Sequence, residues 1–584
     1  MEGHAELDVA GRATLTAVRN GRRELSVVLL LLAVALPIMA FDEEQRLQAV
    51  KKLYEQKHWA DVVQAAHGPA SQSPDFDYYR GMALAHLERW NEARAAFTEG
   101  VRKAPNDARF LTERAGAEYK LKQFATAKRD LLGSLRLEPA DSYVSEFLGT
   151  IYLLEGNTEA ALKYWNRSRR PQLAAVATIP APKTDQRLLE RAITFTPGVL
   201  EREAFLNTEA LLANLQVFPQ VRVELTPEPE AKDGEEFRAA LRVNERTGWG
   251  TSVLDGAVAL LRGIAYQTVY PSYYDFGGAA VNFDSLVRWD QEKRRNSASL
   301  TFPLFEQPGK RIRIFFDQRN ENWNLSQTFR SGTPITDLNL KRFAGGAEIH
   351  LVESGRWDLS VGTDVISREF RNVPSGLSRT AVSFFASGKT LEVWLGAHRS
   401  LLRVPERRFT VEASGEARAG RNYARGLGTF AATRVEIRTC WFPEARGDDY
   451  EFTTRWRAGD AFGDAAWDQL YQLGAERDND LWMRGHPGTL DGRKGRAPLG
   501  RRFAVWNTDF YKTVYDGAFF RFQLGPFLDT GAIADSSGLV GSQKWLVDGG
   551  IQARIRVLGS VYVVLSYGRD LRNGTGLFYG TALR

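Results

Sequence analysis

From about Tyr273 to the C-terminus, apolar and polar residues alternate with a period of two. Within 310–318, Ile312, Ile314 and Phe316 alternate with Arg311, Arg313, Phe315 and Asp317. Within 520–529, Phe520, Phe522, Leu524 and Leu528 oppose Arg521, Gln523, Phe527 and Asp529. Within 548–557, Ile551, Ala553, Ile555 and Val557 oppose Asp548, Gln552, Arg554 and Arg556, and Val561, Val563, Leu565 and Tyr567 form a further apolar row. Successive side chains of a strand point to opposite faces, so the pattern predicts strands with one apolar and one charged face. A soluble antiparallel sheet alternates too. A membrane barrel needs apolar residues toward lipid and polar ones toward its lumen, and closure satisfies every backbone group in a bilayer. At ~20 residues per strand with its connection, this half of the chain predicts about sixteen strands.

Upstream the rhythm is helical and repeats every 34 residues. A small residue recurs at Gly81, Ala115 and Gly149, and an alanine at Ala93, Ala127 and Ala161. A bulky apolar residue recurs at Phe97, Leu131 and Trp165, and proline follows the first two units at Pro105 and Pro139. Small residues where two helices cross, a large one in the groove and proline after the second helix describe a helix–turn–helix unit. The pattern resembles the tetratricopeptide repeat, with a weaker pair at 42–67 ahead of three clear units. Such arrays hold peptides or partner proteins on a concave face, where Tyr78, Tyr79 and Glu113 are placed.

Pro180-Ala-Pro-Lys reads as a linker. After it, 191–198 reads as a short strand, 200–217 as a helix, and 221–225 and 237–243 as strands, with an acidic turn containing Gly234 between the last two. Strand, helix, strand, strand resembles a POTRA domain, the periplasmic module that precedes outer-membrane assembly and secretion barrels.

A glycine-rich connection, about 478–500, carries Arg484-Gly485-His486. Beyond it lie Phe527-Leu528-Asp529-Thr530-Gly531 and Asp548-Gly549-Gly550-Ile551-Gln552-Ala553-Arg554. In this order the motifs resemble those of the BamA/TamA superfamily of outer-membrane assembly and translocation barrels. The resemblance covers about two thirds of the chain. It implies that Arg484 and Gly485 tip a loop folded into the lumen, where the arginine meets Asp529 of the Phe527/Asp529/Gly531 strand motif; Gly550 and Arg554 belong to the next strand. A desolvated arginine needs a partner, and a guanidinium meets a carboxylate with two parallel hydrogen bonds. Gly485 is expected to permit the turn that delivers it. Three features depart from the family pattern: His486 stands where an aromatic residue is usual, Gln552 where a second glycine is expected, and the C-terminus does not end on an aromatic residue.

Composition narrows the function. The chain has 584 residues, 11% aromatic, with a net charge of +6 in which basic residues alternate with acidic ones, giving no basis for a nucleic-acid partner. One cysteine, Cys440, excludes an intrachain disulfide framework. Arg19, Arg22 and Arg23 precede an apolar run at 25–36, followed by Ile38-Met39-Ala40, which reads as a signal peptide. No nucleophile elbow or His-Glu-x-x-His occurs, and Asp448-Asp449 and 478–480 read as solvated loop carboxylates, so no enzyme, cofactor or metal is expected.

The resulting expectation is a multidomain chain. It comprises a signal peptide at 1–40, an all-α tetratricopeptide-like solenoid at 41–176, a linker at 177–185, an α/β POTRA-like domain at 186–250, a connector at 251–272 and a transmembrane antiparallel β-barrel at 273–584. Its expected surroundings are outer-membrane lipid, unfolded polypeptide clients and periplasmic protein partners on the repeats. The function it implies is insertion or translocation of polypeptides at a bacterial outer membrane, with the barrel seam between 281–288 and 578–583. The alternatives are a two-partner secretion pore for one passenger and a passive channel or receptor with a scaffolding arm.

Overall fold

The computed structural model describes residues 43–583 apart from 68–72, 229–235, 331, 425, 445–448, 543 and 560. The expected signal peptide, Gly234 and Asp448 lie outside the described residues. The chain divides into two compact units between Ile151 and Tyr152.

The first unit is a run of helices: α1 (43–55), α2 (Trp59–Ala65), α3 (Pro74–His86), α4 (Trp90–Lys103), α5 (Ala108–Lys120), α6 (Phe124–Leu137) and most of α7 (Ser142–Leu154). The 34-residue period has the packing cause expected of it. Ala93, Phe97, Ala115, Ala127 and Leu131 are fully buried, as is Gly149. A Cβ on Gly81 would run into the Phe97 ring, so the small residue exists to admit the large one. Gly100 stands in the same relation to Phe110, a pairing outside the repeat ruler. Helices α4 and α6 stop two residues before Pro105 and Pro139.

The second unit opens with α8 (Thr158–Trp165), which carries Ala161 and Trp165 of the third repeat. The Trp165 ring packs 5.4 Å from that of Phe237. There follow β1 (Gln172–Ile179), α9 (Gln186–Ala192), β2 (Gly198–Val199), α10 (Arg202–Asn214), β3 (Gln220–Pro227) and β4 (Glu236–Asn244). They form a sheet in the order β2-β1-β4-β3. Two expectations are corrected here. The first three residues of the linker and the end of the repeats are β1, which pairs in parallel with β4, because Leu173-Ala-Ala-Val-Ala-Thr-Ile alternates well enough to fill a central strand. The strand expected near 193 is α9 and coil, since Asp185 caps a helix there by accepting from the Arg187 and Leu188 amides.

The connector is structured as well. It contains α11 (Val253–Leu261), followed by β5 (Thr268–Val269) and β6 (Ser272–Tyr273). Long strands then run from β7 (Asn282–Arg288) through β8 (Lys293–Leu304), β9 (Gln307–Trp323), β10 (Leu338–Ser354) and β11 (Trp357–Arg371). After the short helix α12 (Arg379–Ser383) come β12 (Gly388–Val404), β13 (Phe409–Asn422), β14 (Thr429–Trp441) and β15 (Tyr450–Gly463). A long loop holds the two-residue strands β16 (Tyr471–Gln472), β17 (Thr489–Leu490), β18 (Arg493–Lys494) and β19 (Leu499–Gly500). The wall resumes with β20 (Arg502–Asp516), β21 (Phe520–Ala534), β22 (Leu546–Val557), β23 (Val561–Asp570) and β24 (Gly576–Leu583).

Strands β5 to β15, β17, β18 and β20 to β24 close into one barrel, with β24 beside β5. Among the described residues the barrel therefore has fourteen long strands and the two-residue segments β5, β6, β17 and β18, against an expectation of about sixteen strands. The long strands reach seventeen residues, and the loop at 464–501 consumes chain without adding a long one. Alternation sorts as the sequence implies. Ile314, Phe316, Val365, Val393, Leu395, Val435, Leu524, Leu528 and Ile551 are exposed on the outside, while Arg368, Glu392, Arg457, Asp529 and Gln552 are buried inside. Val561 departs from its row and is buried.

The α/β module docks on the short-turn end of the barrel. Asn214 donates to the Pro308 carbonyl at 2.7 Å, Asn207 accepts from the Gly355 amide at 2.6 Å, and Asn282 donates to the Leu215 carbonyl at 2.9 Å. Beside them, α8 holds the turn after β12 through Lys163–Glu406 at 2.5 Å and Asn157 to the Pro405 carbonyl at 2.7 Å.

Candidate functional site

Register sets the site. Cross-strand pairing places Asn507 of β20 opposite Asp529 of β21, Asp529 opposite Asp548 of β22, and Asp548 opposite Asp570 of β23. Three carboxylates thus lie side by side on the inner wall, each almost wholly buried. Like charges directly opposed destabilise a sheet, so such a row needs a counterpart.

The loop supplies it. Arg484, 4% exposed, meets Asp529 through Nε at 2.9 Å and Nη2 at 2.6 Å, while its own amide donates to the same carboxylate at 3.0 Å. Its Nη1 donates to Asp509 at 2.5 Å and to Gln552 at 2.7 Å. The Gly485 amide donates to Asp548 at 2.6 Å. His486 lies between the next two acids, Nδ1 at 2.9 Å from Asp548 and Nε2 at 3.4 Å from Asp570. Arg-Gly-His therefore answers Asp529, Asp548 and Asp570 in order. The two ring nitrogens of His486 face different carboxylates, a geometry for a doubly donating imidazolium rather than for convergence on one cation.

Each remaining motif residue has a physical role. The Phe527 ring lies under the guanidinium, with its centroid 3.8 Å from the Arg484 carbon. A side chain on Gly550 would strike that ring and the Tyr567 carbonyl, so glycine makes the stacking possible. Gly531 has the Ala504 carbonyl 3.0 Å from where a Cβ would stand. Arg554 donates to Gln523 at 2.8 Å and pairs with Glu451, on the wall below the clasp rather than in it. The reason for Gly485 is corrected: it does not adopt a positive φ, and the need is space, since a Cβ would sit 2.5 Å from the Asp570 amide. Gly568, overlooked in the motif, serves the same contact from the other side, against the Arg484 carbonyl. Gln552, the departure from glycine, accepts from Arg484 and donates to Asp509 at 2.7 Å.

Two further clasps were not visible in the sequence. Asp478, read as solvated, is buried and takes Arg288 at 2.8 Å, Arg295 at 2.7 Å and Lys494 at 3.3 Å. Asp468 takes Arg368 at 2.8 Å and Arg342 at 3.0 Å. Asp480, by contrast, remains largely exposed, against Arg434. The loop is thereby fixed to early, middle and late strands at once. The signal was present only as an excess of inward arginines, whose partners the register chooses.

Above the clasps, at the long-loop end, Trp467, Leu325, Phe329, Ile335, Phe384 and Val540 belong to an apolar cluster, with Trp467 fully buried. Below them a cavity of about 1040 Å³ is lined by nine arginines, among them Arg438, Arg455, Arg521 and Arg556, against four acids, Glu451, Asp478, Asp480 and Asp509.

In the first unit, the face expected for partners gathers Tyr54, Tyr78, Tyr79 and Glu113. Tyr54 and Tyr79 stand edge to face at 5.2 Å, and the Arg109 guanidinium lies 4.9 Å from the Tyr78 ring. Burial, with the Glu113 charge nearby, pushes the Tyr78 phenol up to about 12, and burial raises the Glu113 carboxyl.

No family model matches the chain, and no curated protein matches it. Among solved structures it is similar to BamA from Haemophilus ducreyi lacking POTRA domains 1–3, at 11% identity over 71% of this chain and 85% of that one, TM-score 0.41. It is also similar to CdiB from Escherichia coli, at 12% identity over 71% and 77%, TM-score 0.45. Its likeness to MamA covers 22% of this chain and 75% of that one at 15% identity, TM-score 0.21.

Proposed function

We propose that this chain is an outer-membrane barrel that inserts or translocates polypeptides, with a POTRA-like module and a tetratricopeptide-like arm engaging clients or partners on the periplasmic side. The observation that carries the reading is the Arg484–Gly485–His486 loop seated on the acid row inside a closed barrel whose outer rows are apolar. The site has the form of a mechanical lock, and no covalent step, cofactor or metal is part of the proposal. Closure of the barrel depends on the eight-residue β24 meeting the two-residue β5, a seam with few backbone pairs to break. In the POTRA-like sheet, β3 is an edge strand of eight residues, suited to accepting an extended client by strand addition. An open passive channel is disfavoured by the apolar cluster around Trp467.

The test is depletion of the protein followed by comparison of the outer-membrane and secreted proteomes. Loss of several membrane barrels supports insertion, and loss of one secreted protein supports a dedicated secretion pore. Unchanged proteomes would overturn both.

A further inference from the structure

Helix α11 is amphipathic the wrong way round for a protein in water. Its buried side carries Asp255, Gly256 and Ala259. Its exposed side carries Val253 at 90%, Leu254 at 57% and Leu261 at 48% exposure, continued past the helix by Ile264 at 55%. Soluble helices turn such a stripe toward the core. The polar side faces the lumen: Arg262 stacks 3.8 Å from the Tyr270 ring, and both line an interior cavity with Asp284 and Arg295.

The backbone fixes where the helix stands. Gly248 and Tyr274 exchange hydrogen bonds at 2.9 and 2.7 Å, the Leu260 carbonyl accepts from the Tyr270 amide at 3.0 Å, and the Gly263 carbonyl accepts from the Thr268 amide at 3.0 Å. Residues 248–263 therefore run antiparallel beside β5 and β6, on the edge where the barrel closes. At the base of the helix, Trp249 packs edge to face on Tyr273 at 5.8 Å, and Tyr273 meets Phe276 at 4.2 Å. Trp249 and Phe276 are both exposed, like the aromatic residues that mark a membrane–water boundary.

We infer that α11 flanks the short strands β5 and β6 at the barrel seam, laying Val253, Leu254, Leu261 and Ile264 against lipid acyl chains. This rests on the membrane-barrel reading above. A helix satisfies its own backbone groups, so it can border lipid without a strand partner on its far side. Its nine residues rise ~13 Å at 1.5 Å each, about half of a ~30 Å hydrocarbon core. The outer apolar surface of the barrel thus continues across its weakest joint.

The test uses the full chain carrying Cys440→Ser, reconstituted in phosphatidylcholine bilayers, with bimane attached at Val253→Cys or Leu261→Cys. Val393→Cys on the outer wall is the lipid reference and Glu203→Cys on α10 the water reference. The inference expects brominated lipid to quench both helix positions as strongly as Val393→Cys, and iodide to leave them as protected. Iodide quenching at both positions to the level of Glu203→Cys, with Val393→Cys still quenched by brominated lipid, would overturn it and leave the barrel reading standing. If Val393→Cys also escapes brominated lipid, the membrane-barrel reading fails and takes this inference with it.

Discussion

Arg484 holds its place because two carboxylates, Asp529 and Asp509, and the Gln552 amide oxygen surround a charge that is almost wholly buried. Arg484→Ala leaves Asp529 buried without its principal counter-charge, and breaking a buried pair in this way costs ~3–5 kcal/mol. The variant should lose the compact form that migrates faster in unheated detergent gels, whereas Arg502→Ala, whose side chain is 72% exposed, should retain it. Equal behaviour would remove the case for a lumen clasp. Arg493, a nearby loop arginine, is a poor control because it pairs with Glu292 at 3.2 Å and Asp337 at 3.3 Å. His486 makes a second, separable prediction. His486→Phe restores the aromatic residue usual in the resembled family but leaves Asp548 and Asp570 opposed without a donor between them, so the unfolding temperature should fall. Adding Asp570→Asn should recover most of that fall, and failure to recover it would show that the ring acts by packing alone. The Arg484–Asp529 pair was legible because both residues stand in short motifs of fixed order. Asp548 and Asp570 were not, because strand register brings them into one row with Asp529, nor was Asp509, two residues along β20 from that row; no local spacing encodes register. Asp478 was misread for a related reason: a loop carboxylate looks solvated until the loop is known to fold inward.

At the scale of elements, α10 couples the α/β module to the barrel through a charge cluster. Arg403 at the end of β12 bonds Glu159 of α8 at 2.8 Å, and Arg202 of α10 bonds the same carboxylate at 2.7 Å. Glu209, two turns further along α10, lies near both Glu159 and Arg403. Burial raises its pKa from 4.5 to about 7, Arg403 opposes the shift and Glu159 adds to it. The folded protein therefore prefers the neutral carboxyl more than the unfolded chain does. Its contribution to stability is complete below the unfolded value and is lost as pH rises through about 7. Glu209→Gln should flatten the fall in unfolding temperature between about pH 5 and pH 8; an unchanged slope would place the pH response elsewhere. Most elements were legible before the structure, for concrete reasons. The 34-residue ruler reflects Phe97 seated over Gly81, and the two-residue rhythm reflects an exposed apolar face and a buried polar face on each strand. Strand β1 was hidden because Pro180-Ala-Pro sits just past its end and drew the linker assignment backwards. Helix α11 was hidden because its apolar stripe has no polar outer face to give it a recognisable boundary.

For the whole molecule, the question is whether the barrel conducts. One end carries the α/β module against its turns. The other is covered by aromatic packing, with the Trp467 ring 5.2 Å from Phe385, 5.7 Å from Phe329 and 5.9 Å from Trp323. Between them, the arginine-lined cavity would attract anions from either side, so its walls offer no barrier of their own to an anion current. The barrier lies in the apolar cover, since moving an ion past a dry aromatic cluster costs its hydration. The Trp467 side chain is fully enclosed, and shortening it to alanine removes the centre of that cluster at a local cost of ~3–5 kcal/mol, while Arg368–Asp468 and the Arg484 clasp still hold the loop. In planar bilayers the unaltered protein should show rare, brief openings. Trp467→Ala should show steady, anion-selective conductance while keeping the compact gel form. A steady wild-type current of the same size would mean that the cover does not seal, and the argument against a passive channel would go with it.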